Sequence, residues 1–355
     1  MKHLGRLRAL AGRRPLDAIL VTGKKNLCYF TGVCEPSGIL VIPKSNGPFI
    51  ITSIGGKQEL GACGIEAYSI GPRADIKQKS AFRAIQKMLG KKRLKIGYDA
   101  RMPHEYFEKM QKEMRARLFN ITPLLIKLRA IKTSEEVKKI TKSLRAAEKG
   151  MRAASESIRP GITENELAII AEHAMRKSGA EWFSFRGMVA SGPNPAKPHF
   201  IPSNRRIRQE DLIVIDIGAV YRGYCSDISR TFCIKPSKKQ KKIYSIVLSA
   251  QKAATAKARP GAKAKAIDRA ARNLIEKHGY GTNFIHPTGH GVGLDIHEAP
   301  SISSDSKETL KPGMVFTIEP GIYISGYGGV RLEDMILLTS KGKINLTKFP
   351  KRLEV

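Results

Sequence analysis

Arg-Pro-Gly stands at residues 159–161 and again at 259–261, and Lys177 and Gly179 recur at the same offset as Lys277 and Gly279. Each copy follows one helical stretch, opens a second and leads into apolar strands, RPGITENELAIIAEHAMRKSGA in the first and RPGAKAKAIDRAARNLIEKHGY in the second. Two runs of helix, helix and strands predict a pseudo-twofold domain whose sheets face one another across a central site. Residues from both halves then converge there. Coincidence is the competing account, since Pro-Gly before a helix is common.

The repeat occupies only the later part of a 355-residue chain, which is long for one hydrophobic core. Upstream, the short apolar runs DAILVTG, SGILVIP, PFIITS and RLKIGYD alternate with turns and helical stretches, the pattern of a small α/β domain. Thr133 and Glu136 then form a capping box at the head of a long amphipathic helix. The boundary is therefore expected near Leu128 to Lys132, giving domains at 1–130 and 131–355. No run of eighteen apolar residues occurs, and the basic start lacks a following apolar segment of signal-peptide length, so neither membrane spanning nor secretion is expected. Cys28, Cys34, Cys63, Cys225 and Cys233 are odd in number and not closely paired, which disfavours a disulfide framework or thiolate zinc site and suits a reducing cytoplasm.

The formal net charge is +32. Between Lys235 and Arg272 the only acid is Asp268. A positive field of this size attracts polyanions, so nucleic-acid or acidic-surface contact is one expectation; a solvated helical face is the other, because no recognition motif accompanies the charge.

Acids inside apolar strands carry the chemistry. DLIVIDIGAVYRGYCSDISRTF predicts a hairpin with Tyr221 and Arg222 as its loop, which sets Asp216 directly opposite Asp227 on one face. An ionised carboxylate amid LIVIDIG is costly without a partner, and a divalent cation between two such groups relieves the repulsion. A single aspartate capped by backbone amides beside a surface one remains the alternative. MVFTIEPGIYI brings Glu319 and GGVRLEDMILLT brings Glu333 into similar surroundings, while HPTGHGVGLDIHE places His290 between glycines, flanked by His286 and His297. Oxygen donors in this number with one imidazole suit two divalent ions sharing carboxylates, Mn²⁺ first, with Co²⁺ and Zn²⁺ compatible.

Asp216, Asp227, His290 in TGHGVG, Glu319 in IEPG and Glu333 in RLED, in that order, resemble the five metal ligands of the pita-bread metallopeptidases, the family of methionine aminopeptidase, aminopeptidase P and prolidase. The resemblance runs from about Thr133 to the C-terminus, and the preceding domain is similar to the creatinase-type N-terminal domain of the proline-specific branch. It implies an α+β architecture, a pseudo-twofold pita-bread domain behind a smaller α/β one, and a homodimer. It further implies that His286 and His297 line the substrate pocket, that His199 in SGPNPAKPHF contacts substrate, and that Arg331 matches an arginine of that branch. Packing or ion-pair roles are the alternatives for these four. Glu319 is then the proton carrier, with His199 and His297 stabilising charge on the reacting carbonyl. The expected activity is hydrolysis of the Xaa-Pro bond of small proline-containing peptides, a dipeptidase in preference to an aminopeptidase acting on longer chains. Ser301 stands where some prolidases carry an arginine that binds the dipeptide carboxylate, so peptide length stays open. A catalytically idle relative that binds through its basic surface is the rival of another class.

Overall fold

The computed structural model describes residues 2–11, 15–60, 63–78, 80–90, 92–197 and 200–355. They divide into two units, Met1–Arg129 and Ala130–Val355.

In the first unit, the strands Ala18–Val21, Ile39–Pro43 and Phe49–Thr52 are buried at every position, which is why they read as unbroken apolar runs and not as alternating ones. They belong to a six-stranded sheet ordered Glu66–Ser69, Phe49–Thr52, Ile39–Pro43, Ala18–Val21, Leu94–Tyr98, Ala116–Asn120. The three central strands pair antiparallel and the outer ones parallel. Helices Ala81–Leu89 and His104–Glu113 add Phe82, Ile85 and Met110 to a core shared with Leu20, Val41 and Ile96.

The second unit carries the repeat in three dimensions. Helices Ser134–Glu156 and Glu164–Lys177 form the first pair, and Lys238–Lys257 and Ala264–Lys277 the second. The second helix of each pair starts and stops at the repeat offset. Gly161 and Gly261, at φ 90° and 80°, turn the chain ahead of these helices, and Gly179 and Gly279, at 91° and 83°, follow them. Thr133, Thr163 and Ser237 each close a capping box, whereas Lys263 at the head of the last helix makes no side-chain cap. Each second helix also carries a buried acid that ties a neighbouring strand to it. Glu164 accepts from Ser191, Asn194 and Ser203, and Asp268 accepts from Thr288 N at 3.2 Å and Oγ1 at 2.8 Å, two residues before His290.

Two interrupted hairpins lie at the centre. In the first half, Ile213–Ile217 pairs with Ile228–Phe232, and after a break Ala219–Tyr221 pairs with Tyr224–Cys225 in unchanged register. The turn is Arg222-Gly223, not the expected Tyr221-Arg222, because a tight primed turn needs two positive φ angles and these residues supply 47° and 77°. Asp216 consequently faces Ser229, and Asp227 is diagonal to it, beside Gly218. In the second half, Val315–Ile318 pairs with Asp334–Leu337 and Gly321–Ile324 with Gly328–Arg331, again in one register across a break. Glu319 and Glu333 sit in that break, facing each other; Glu333 therefore lies between strands, not within one.

The halves are joined where 229–231 meets 331–333. Glu333 N donates to Ser229 O at 3.2 Å, Arg331 N donates to Thr231 Oγ1 at 3.0 Å, and Thr231 Oγ1 donates to Arg331 O at 2.9 Å. Arg230, only 1% exposed, secures this seam: its guanidinium donates to the carbonyls of Ser229, Glu333, Phe349 and Pro350 and pairs with Asp334 at 3.0 Å. Replacing Arg230 by Met leaves Asp334 and several carbonyls short of a donor. Denaturant unfolding should show a loss of about 3–5 kcal/mol, the cost of breaking a buried pair; a loss under about 1 kcal/mol would mean that the seam does not depend on it.

Candidate metal centre and its cavity

Asp227 and Glu319, at the interruptions of the two hairpins, and Asp216, on the strand beside the first, face one cavity of about 610 Å³. Asp216, Asp227, His290 and Glu319 line it with His286, His297 and Arg331. Phe185, Met188, Phe200 and Ile296 give it an apolar wall. His199 lies outside the described residues.

His290 is aimed by its strand. Between His290 and Gly291 the register with Glu298–Ile302 shifts, a bulge of the kind that re-aims a side chain. A Cβ on Gly289 would lie 2.1 Å from Thr317 O, and one on Gly291 would lie 2.2 Å from Ala299 O. Glycines flank the imidazole because neighbouring backbones press against its strand on both sides. Nδ1 of His290 is 3.1 Å from Gly291 O, which favours the tautomer protonated there and leaves the Nε2 lone pair facing the acids. From Nε2, Asp227 Oδ2 is 3.5 Å away and Glu319 Oε1 is 3.3 Å away.

Thr317, fully buried, links two parts of the centre. Its hydroxyl accepts from His290 N at 3.0 Å and donates to Glu319 Oε1 at 2.9 Å. Glu333, 1% exposed, accepts from Ser229 Oγ at 3.0 Å through Oε2. Asp216 is gripped through Oδ2 by Arg331, whose Nε donates to Ser229 Oγ and whose Nη1 donates to Tyr323 Oη, both at 3.0 Å. Tyr323 Oη lies 2.7 Å from His286 Nε2, and His286 Nδ1 lies 2.8 Å from Pro287 O, so both His286 nitrogens have partners inside the protein. His297 is exposed but packs edge-on against His290 with ring centroids 4.2 Å apart. Its segment is anchored by a buried pair, Lys132 Nζ to Glu298 Oε1 at 2.7 Å.

Asp216 Oδ1, Asp227 Oδ1 and Glu333 Oε1 are buried and make no hydrogen bond. Buried oxygens of this kind are costly without a counter-charge. Burial, then the charges of Asp227, Glu319 and Asp216, pushes the Glu333 carboxyl well above the carboxylate range. Asp227 is also pushed up, by burial first and by Asp216 and Glu319, against the opposing effect of His290. In Glu319 burial acts upward too, but His290, His286 and Arg331 outweigh it and hold the group low. His290 is raised because Asp227 and Glu319 overcome the effect of burial. Asp227, His290 and Glu333 offer ligand atoms that all lie within 4.8 Å of one another, and Glu319 and Asp216 adjoin them. An oxygen-rich set with one imidazole and unpaired buried oxygens fits divalent ions.

Ser229, Thr317 and Tyr323 are the polar supports that sequence reading overlooks. Ser229 had a signal, since it is two residues from Asp227 and thus on the same strand face. Tyr323 had none, because its hydroxyl meets His286 and Arg331 only through the fold. Phe185, Phe200 and Ile296, the apolar wall, are likewise invisible before the loops are placed.

Comparison with known proteins identifies the family and the fold. Residues 3–131 match the creatinase/prolidase N-terminal domain, and residues 138–340 match metallopeptidase family M24. The Xaa-Pro dipeptidase of Pyrococcus horikoshii is 39% identical over 344 residues, spanning 96% of this chain and 95% of that protein. The solved Xaa-Pro dipeptidase from Bacillus anthracis superposes with a TM-score of 0.92 at 35% identity, covering 100% of this chain and 99% of that one. The solved X-Pro aminopeptidase from Thermotoga maritima gives 0.89 at 32% identity, covering 99% of each. The chain belongs to metallopeptidase family M24, the metal-dependent peptidases, and carries the creatinase/prolidase N-terminal domain ahead of the catalytic one.

Proposed function

We propose that the protein is a Xaa-Pro dipeptidase, with Asp216, Asp227, His290, Glu319 and Glu333 holding two divalent ions, Mn²⁺ foremost and Co²⁺ or Zn²⁺ also compatible. The observation that carries this reading is the set of unpaired buried carboxylate oxygens converging with His290 Nε2 in a cavity with an apolar wall. When bound, divalent ions supply Lewis acidity, polarising the scissile carbonyl and acidifying water.

The residues of the chain do the rest. Thr317 fixes Glu319, which takes a proton from the attacking water and returns it to the departing proline nitrogen. That nitrogen belongs to a tertiary amide without an N–H, so the substrate must be held by other means. Phe185, Met188, Phe200 and Ile296 offer the pyrrolidine ring an apolar seat. His297 and, as the resemblance implies, His199 donate toward the carbonyl oxygen as charge grows on it. Arg331 and His286 hold Asp216 and Tyr323 in place from behind while forming part of the substrate wall. Cytoplasmic residence is consistent with five cysteines that form no disulfide. Among the described residues no helix is long and apolar enough to cross a membrane. A homodimer is the assembly proposed.

Two other readings have particular support. The likeness to the Thermotoga X-Pro aminopeptidase favours activity on longer peptides. Exposed Lys238, Lys242, Lys252, Lys257 and Lys265 on the second helix pair favour polyanion contact, which salt-sensitive retention on heparin tests.

Proline release from Ala-Pro after chelation and return of Mn²⁺ tests the main reading. Restored hydrolysis is expected, with Asp227→Asn lowering kcat/KM at least about 100-fold; cleavage only of longer Xaa-Pro peptides would favour the aminopeptidase. The metal-free protein gives a second test. Asp227, Glu333 and His290 have raised pKa values, so their stabilising contribution is full below the unfolded-state values and is lost as pH rises through the folded ones. In chelator, the melting temperature of the wild type relative to Glu333→Gln should fall as pH rises above about 5, and Mn²⁺ should reverse the fall. A difference independent of pH and Mn²⁺ would count against a buried charge deficit at Glu333.

A further inference from the structure

We propose that Arg186 is the anchor for the free carboxylate of the dipeptide substrate, and so the residue by which the site measures peptide length. The inference rests on the dipeptidase reading above. A Xaa-Pro dipeptide brings an anion into a cavity already lined by Asp216, Asp227 and Glu319. The proposed metal ions offset those acids, and a carboxylate taken out of water beside an apolar wall still calls for a cation of its own.

Two arginines line the cavity, Arg331 and Arg186. Arg331 is 2% exposed, and its guanidinium is committed to Asp216, Ser229 and Tyr323. Turning it to a substrate would strip Asp216 of its counter-ion. Arg186 is different: it is exposed at the cavity wall and makes no hydrogen bond or ion pair with the described residues. Its charge is felt at Glu172, whose carboxyl burial raises and Arg186 partly restores, but no contact fixes it there. Ser301, also on the wall, offers only a hydroxyl already 3.0 Å from Ser303 Oγ.

Position also favours Arg186. It follows Phe185 of the apolar wall and precedes by two residues Met188, which pairs with Asp216 in the central sheet and lines the same cavity. The proline carboxylate sits on the carbon next to the scissile nitrogen, so an anchor beside the ring's seat lies one residue beyond the reacting bond. A guanidinium binds a carboxylate through two parallel charge-assisted hydrogen bonds, and a longer peptide presents only a neutral amide there.

The test compares Ala-Pro with Ala-Pro-amide, using the Mn²⁺-loaded protein with bound metal verified. The wild type should prefer the free dipeptide about 10- to 100-fold in kcat/KM. Arg186→Ala should collapse that ratio toward unity, chiefly through KM, and Arg186→Lys should recover part of it; melting curves of the variants establish that they are folded. Equal use of acid and amide by the wild type, or a ratio unchanged in folded Arg186→Ala, would overturn the anchor and leave the peptidase reading intact. Hydrolysis of neither substrate by the metal-loaded wild type would overturn the dipeptidase reading and the anchor with it.

Discussion

Negative charge held in a small buried volume is the constraint on which the catalytic unit turns. Each half of the repeat contributes a hairpin that loses its pairing at one place and resumes in the same register; Asp227, Glu319 and Glu333 stand at those interruptions, and Asp216 on the strand beside the first. A break in a ladder frees side chains to converge without ending the strands that support them. The fold then meets part of the electrostatic cost itself, through Arg331 on Asp216 and His290 beside Asp227 and Glu319. Oxygens on Asp216, Asp227 and Glu333 remain unmatched, and that remainder makes the centre a cation site in the proposed account.

The surrounding structure serves to keep those groups from moving apart. Arg230 fastens the seam between the halves from one side, with Lys351, Gln251 and Asn345 converging on its partner Asp334. Asp268 and Thr288 fix the approach to His290, and the Lys132–Glu298 pair fixes the segment after it. The same duplicated helix pairs differ in charge, the first mixing acids with bases. The first holds acids at both capping boxes, while the second is basic on its exposed side. Duplication thus fixes the shape of the scaffold and leaves its surface free to diverge.

Much of this was legible in the sequence for physical reasons. The repeat showed itself through glycines at positive φ, which tolerate little substitution, and the centre through carboxylates in apolar runs, where an acid is too costly to stand without a counter-charge. The hairpin turn was misplaced by one residue because Tyr221 and Arg222 resemble a loop by polarity, whereas Arg222 and Gly223 satisfy its dihedrals. That shift changes which residue faces Asp216 but not which face Asp227 shares with it. In the first unit, Glu66–Ser69 and Ala116–Asn120 are edge strands with partly exposed residues and no apolar run, so pairing with a neighbour, not local sequence, defines them. The glycines around His290 were visible, but their purpose is to admit the Thr317 and Ala299 backbones, a long-range fact.

Metal stoichiometry tests the central claim most directly. Equilibrium dialysis of the chelated protein against Mn²⁺, followed by elemental analysis, should give about two ions per chain, with at least one lost in Glu333→Gln. A folded wild type that binds well under one ion per chain would contradict the account, because the unmatched carboxylates would then be stabilised without the cation the proposed chemistry requires.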